Sequence, residues 1–401
     1  MNILGLIGMT LLLGSIGGYF FRYLRLPQVI IYIIIGSFLG VSVFGFYSEE
    51  ILNTFRPVTN LALGLIGFGI GGELRWARLK RFGISIISIT VFESLSSALF
   101  VTTAVYLFTR NTALSLLLGA LSCATAPGGT TSVLQEYRAR GPLTSTLFGV
   151  IGADDALAII IFAFMSNISY AILKADGGVS FLNILHIVGF DIIGSIILGL
   201  IFGLITAYVM LKIKHEDIQQ VVMLGMLFLC TGFALQFHLS LILSNMLMGI
   251  AISNIRPHRS RSYFLSIQKI SPPIFILFFI LVGARLQFSM IPLMGMVGVI
   301  YIVNRVFGKY FGAYFGALLS NTSTVIRKNL GLCLFSQAGV AIGLALSAQL
   351  ELSKISIEAN EIGGIIVNMI AATTFFFQIF SPITTKIALK NAKEIRIGEG
   401  Y

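Results

Sequence analysis

The chain has 401 residues, 56% of them hydrophobic and only 11% charged, with a mean hydropathy of +0.94. A soluble domain carries about 25% charged residues, so this composition excludes one and points to a polytopic membrane domain. The net charge of +11 is dispersed over short segments, which argues against a nucleic-acid-binding face.

Apolar runs of membrane-spanning length recur from end to end. In chain order they predict helical spans near 3–21, 28–45, 57–74, 83–108, 112–134, 143–167, 181–211, 219–236, 239–253, 264–283, 289–319, 329–348 and 362–385. The first lacks a basic leader and a small-residue cleavage site, so it reads as a retained helix and not a signal peptide. The expectation is one transmembrane domain over 1–386 and a short basic cytoplasmic tail over 387–401, with no soluble appendage.

Basic residues give the orientation. Loops after odd-numbered spans, with the C-terminal tail, hold 19 of the 27 Lys and Arg, and the opposite loops hold 5. That bias predicts an external N-terminus and a cytoplasmic C-terminus. The membrane expected is a prokaryotic inner membrane. Cys123, Cys230 and Cys333 sit in apolar segments without metal or redox spacing, and His186, His215, His238 and His258 are scattered. Neither set suggests a cofactor or a bound metal.

The sixth span carries Asp154 and Asp155, the only ionisable side chains between Gly141 and Ile168. A carboxylate at bilayer depth costs at least about 2.5 kcal/mol, so two in succession mark a cation or proton pathway. Glu93 lies mid-span in the fourth segment, and Arg305 and Lys309 lie one turn apart on one face of the eleventh. Buried charges of this kind must pair.

An offset of about 212 residues relates two halves of the chain. Leu26 and Gly36 fall on Leu239 and Gly249, Gly71 and Leu74 on Gly283 and Leu286, Glu93 on Arg305, and Pro127 on Gly339. Spans two to six and nine to thirteen therefore read as two five-helix copies of opposite orientation, an arrangement used by transporters with a midplane site. Both copies contain a helix break: Ala126, Pro127, Gly128 and Gly129 in the fifth span, and Ser336, Gln337 and Gly339 in the twelfth. Proline removes a backbone donor and glycine tolerates unwinding, so freed carbonyls become cation ligands. The repeat aligns Glu93 with Arg305, which suggests a structural Arg305–Glu93 tie and leaves Lys309 as partner for Asp154.

Taken together, Leu26-Pro27-Gln28, Thr125-Ala126-Pro127, Asp154-Asp155, Arg305-Val306-Phe307-Gly308-Lys309 and Ser336-Gln337-Ala338-Gly339 resemble the monovalent cation/proton antiporter superfamily, in its second cation/proton antiporter family. The resemblance covers essentially the whole chain. It implies an all-α fold of about 13 transmembrane helices with inverted five-helix repeats and crossed discontinuous helices. It further implies a core (83–168 and 289–386) moving against a dimerisation scaffold (1–75 and 181–283), and a homodimer in the lipid bilayer. Asp155 matches the family's ion- and proton-binding aspartate, Asp154 the position before it, and Thr125 the threonine of the unwound stretch. Arg305 or Lys309 matches the basic residue that pairs with the aspartates, and Glu93 a glutamate that pairs with an arginine in some relatives. Several relatives carry an aspartate where this chain has Ala126, which puts side-chain compensation of the half-helix dipoles in question.

The activity so implied is exchange of a monovalent cation, Na+ before Li+ or K+, for protons by alternating access, without a cofactor. A sodium-coupled solute symporter and an ion channel are the alternatives. The first would favour carbonyls and hydroxyls over adjacent acids, and the second leaves the paired breaks unexplained. An enzyme is not expected, since the sequence offers no nucleophile–base set.

Overall fold

The computed structural model describes residues 2–21, 28–40, 43–126, 130–131, 133–134, 137–174, 181–213, 215–255, 257–286 and 291–395. Among these the ordered elements are helical: α1 (Ile3–Phe21), α2 (Gln28–Leu39), α3 (Glu49–Thr54), α4 (Arg56–Glu73), α5 (Trp76–Thr109), α6 (Thr112–Leu121), α7 (Pro142–Lys174) and α8 (Phe181–Lys212). They continue with α9 (Glu216–Gln236), α10 (Leu241–Ile255), α11 (Pro257–Ala284), α12 (Ile291–Leu319), α13 (Thr324–Asn329), a 3-10 turn (Leu330–Cys333), α14 (Gly339–Leu352) and α15 (Ile357–Asn391). Seven of the described helices are long and apolar enough to cross a membrane, and α2, α6, α10 and α14 are shorter apolar helices.

Every predicted span contains helix, but several boundaries move. Gly83, with φ of 72°, interrupts α5 in a backbone region that favours glycine. The last helix continues to Asn391, so residues expected to begin the tail are helical. Asn111, Ser323 and Ser356 cap α6, α13 and α15, each accepting from a first-turn N–H. Asp191 of α8 is buried and accepts from Ser240 N (2.5 Å) at the start of α10.

Two compact units make up the chain. One comprises residues 1–78 and 174–288, the other residues 79–173 and 289–401. In the first, the glycines that exposed the repeat are the contact points between helices. A methyl group on Gly36 of α2 would fall 2.1 Å from Ile280 O of α11, and one on Gly283 of α11 would fall 2.1 Å from Ile33 O of α2. The equivalent pair repeats this: Gly249 of α10 meets Phe68 O at 2.4 Å, and Gly71 of α4 meets Met246 O at 1.9 Å. Each contact maps onto the other at the same offset with the two copies exchanged, as a local twofold between repeats requires. Small residues let backbones come this close in a bilayer.

The second unit uses the same device. Gly308, Gly312 and Gly316 form a stripe along α12, and a Cβ on them would fall 2.6 Å from Ser97 Cα, 2.6 Å from Glu93 Cα and 2.7 Å from Ile89 Cα. The stripe therefore seats α12 directly on the backbone of α5 and fixes where Glu93 stands. Leu143, Leu147, Val150 and Ile151 of α7 share a core with Cys333, Leu334, Ala388 and Leu389 in the same unit.

Gly312→Val is expected to destabilise the protein by at least about 2 kcal/mol, because the new atoms meet backbone and not a movable side chain. Gly295→Val, on a glycine with open space around it, serves as the control. Thermal unfolding of both in detergent checks this: equal melting temperatures would contradict the packing argument.

Candidate functional site

The two helix breaks of the second unit meet. Helix α6 stops at Leu121, and Ser122 to Ala126 continue without helix. The 3-10 turn stops at Cys333, and α14 starts only at Gly339. Ala126 N donates to Ser336 O (3.0 Å), Thr130 Oγ1 to Cys333 O (3.0 Å) and Thr125 Oγ1 to Leu334 O (3.4 Å), so the breaks are stitched to each other. Pro127, Gly128 and Gly129 lie outside the described residues, as do Leu26 and Pro27.

Arg305, fully buried on α12, feeds the crossing point. Its guanidinium donates to Ser122 O (3.1 Å) and Ala124 O (2.8 Å) of one break, and to Phe335 O (2.6 Å) and Ser336 O (3.3 Å) of the other. The Phe377 ring lies over it at 4.4 Å. A cation at the carboxyl ends of two half-helices also offsets their negative dipole ends. Compensation of those negative ends therefore comes from α12.

Lys309, one turn further along the same face, reaches four acceptors with three donors. Its Nζ lies 2.6 Å from Glu93 Oε2, 2.8 Å from Thr125 Oγ1 and 3.4 Å from Asp154 Oδ2, and it also donates to Cys123 O. Glu93, Asp154 and Lys309 are all fully buried. The pairing thus differs from the sequence expectation: Arg305 does not tie Glu93, and Lys309 serves both acids. The physical reason is that a five-donor planar fork satisfies several carbonyls at once, which a single ammonium cannot do.

Several neighbours had not been singled out. Ser94 Oγ donates to Asp154 Oδ1 (2.8 Å) and lies 3.1 Å from Glu93 Oε1, while Ser97 Oγ lies 3.0 Å from Ser122 O. Gln337 Nε2 donates to Tyr301 Oη (2.8 Å) and Leu121 O (3.3 Å), and Gln378 Nε2 donates to Gln337 O (2.7 Å). For Ser97 the spacing from Glu93 was the available signal, since residues one helical turn apart share a face; Ser94 directly follows Glu93 and carries no such signal. Asp155 follows Asp154 on α7 and is partly exposed, so successive positions on the helix turn the two carboxylates to different surroundings.

A protein-family model for the transmembrane sodium/hydrogen exchanger matches residues 8–391. The chain belongs to the sodium/hydrogen exchanger family. Among curated proteins, the exchanger is 25% identical over 307 residues to the ammonium/H(+) antiporter subunit AmhT of Alkalihalophilus pseudofirmus, covering 75% of each chain. Among solved structures it is similar to the sodium proton antiporter MjNhaP1 of Methanocaldococcus jannaschii at pH 8, with a TM-score of 0.77, 19% identity and 98% of each chain covered. An electron-microscopy structure of the same antiporter gives a TM-score of 0.71 at 18% identity, again over 98% of each chain. The fold expected from sequence, an all-helical sodium/proton antiporter fold, is the one found. The exchanger is an integral membrane cation/proton antiporter and not an enzyme.

Removing the ammonium strands two buried carboxylates. Lys309→Gln is expected to lose about 3–5 kcal/mol of stability, and Glu93→Gln in the same chain to recover part of it. A double-mutant cycle on unfolding in detergent measures the coupling. Additive losses would show that the pair does not form.

Proposed function

We propose that the exchanger moves sodium against protons, with lithium and potassium as further cargoes, by alternating access. In this reading Asp155 and Asp154 are the shared cation and proton sites, Thr125 and the carbonyls of the first break complete the ligand shell, and Lys309 is a resident cation that occupies Asp154 in the absence of cargo. The observation that carries it is the contact pattern of Lys309. Its longest contact is the one to Asp154, whereas Glu93 holds it at 2.6 Å. A cargo ion can displace the ammonium from Asp154 while Glu93 keeps its charge balanced.

The chemistry follows from charge. Glu93, Asp154, Arg305 and Lys309 carry formal charges that cancel, and Asp155 adds one negative charge to that balance. A carboxylate in a site closed to bulk water is stable with a proton or with a monovalent cation, so the two compete and occupancy is exclusive. Either one neutralises the site and permits the unit of residues 79–173 and 289–401 to cross; the bare charge opposes crossing. That unit is then the mobile core and the other the scaffold, in a homodimer whose C-terminus is cytoplasmic. Ammonium belongs among the cargoes to be tested, being the ion named for the Alkalihalophilus relative.

The test is proton movement in proteoliposomes, followed with a pH-sensitive dye on addition of sodium, lithium, potassium or ammonium in turn. Asp155→Asn, near-isosteric but unable to release a proton, is expected to abolish the response to each while leaving the melting temperature near that of the parent protein. The charge-balanced Glu93→Gln/Lys309→Gln protein is expected to exchange with a weaker response to an imposed membrane potential. Parental activity in Asp155→Asn would remove the assignment.

A further inference from the structure

The helix that carries Asp154 and Asp155 starts without a capping side chain of its own. Its first residue is Pro142 and the residue before it is Gly141, while Ser145 N closes the first intrahelical bond onto Gly141 O (3.0 Å). The first-turn donors of Leu143 and Thr144 therefore need a partner from elsewhere. They find it about 250 positions later in the chain. The Glu394 carboxylate, three residues past the end of α15, accepts from Leu143 N at Oε1 (2.7 Å) and from Thr144 N at Oε2 (2.8 Å). Thr144 Oγ1 donates to the same Oε2 (2.7 Å), and Arg140 N lies 3.4 Å from Glu394 O. The carboxylate is almost wholly buried and faces the positive end of a 33-residue helix dipole.

Gly141 shows that the fit is built for this carboxylate. A Cβ there would fall 2.3 Å from Glu394 Cδ and 2.4 Å from Oε1, so any larger residue would evict it. Beneath the polar contact, Leu143 and Leu147 of α7 share one apolar cluster with Ala388 and Leu389 of α15, and Ile395 packs against it. The polar latch thus closes one end of a shared core.

We infer that Glu394 is a positioning residue for cation exchange: it caps the ion-binding helix from the C-terminal segment and sets the axial position of Asp154 and Asp155. The inference rests on the assignment of those aspartates as the ion site. From Thr144 to Asp154 is ten residues of unbroken helix, about 15 Å, so a first turn held in place fixes the site along the helix axis. The hydrogen bond from Ser94 to Asp154 depends on that position. It also makes the segment after α15 a control point, because anything that draws it away uncaps the helix.

Two variants test this through different atoms. Glu394→Gln keeps size but puts an amide nitrogen against an N–H donor, and Gly141→Ala evicts the carboxylate without changing any charge. Deuterium uptake by the peptide over residues 141–150 is expected to quicken about fivefold in both, as for a lost helix cap. In proteoliposomes both are expected to raise the half-saturating cation concentration at least about threefold while the maximal rate stays within about twofold, the pattern of a misplaced site in a folded protein. Sodium is the first cation tried, then whichever cation drives the parent protein best. Unchanged deuterium uptake in both variants would overturn the latch. Faster uptake with parental half-saturation would reduce it to a structural cap and overturn its role in exchange. Failure of the underlying site assignment appears separately, as normal exchange by Asp155→Asn.

Discussion

Backbone carbonyls left without helical partners at membrane depth must be given donors, and one face of one helix provides them here. Arg305 and Lys309, a turn apart on α12, donate to carbonyls of Ser122, Cys123, Ala124, Phe335 and Ser336 across both breaks. Without those donors each buried carbonyl would carry a desolvation cost of about 1–3 kcal/mol, and the unwound segments would tend to close into helix. The glycine stripe along the same helix brings the α5 backbone within contact, which places Glu93 and Ser94 beside the crossing. Two unwound segments, two basic residues and three glycines are thus one construction.

Division of labour between the two basic residues follows from their chemistry. A guanidinium keeps its charge and holds several acceptors in a plane, so Arg305 suits a fixed role at four carbonyls. An ammonium is a compact charge on a flexible stem, and Lys309 stands where acceptors compete for it. A site whose resident cation is shared between two acids can release one of them to an incoming ion without leaving a charge unpaired. That is the economy a buried exchange site requires.

Much of this was legible in the sequence, because charges and breakers stand out against an apolar background. Asp154 and Asp155, the two broken helices, the five charged positions and the repeat were all visible. The repeat proved informative about packing: Gly36, Gly71, Gly249 and Gly283 are contact points in two reciprocal helix pairs. It misled about Glu93 and Arg305, since equivalent positions in a repeat are related by symmetry and need not touch. Ser94 was hidden because serine in an apolar helix has many uses, and only the fold brings it against Asp154. Glu394 was hidden for the opposite reason: it follows the last apolar run, where composition alone suggests a solvated tail.

The central claim is that cargo and protons compete for the same carboxylates, Asp154 and Asp155. Isothermal titration of the detergent-solubilised protein with sodium, repeated in buffers of different ionisation enthalpy at one pH, tests it directly. The account predicts binding heats that vary with the buffer, corresponding to release of about one proton for each cation bound, and loss of that variation in Asp155→Asn. Saturable sodium binding with heats that do not depend on the buffer would mean that the cation displaces no proton, and would contradict it.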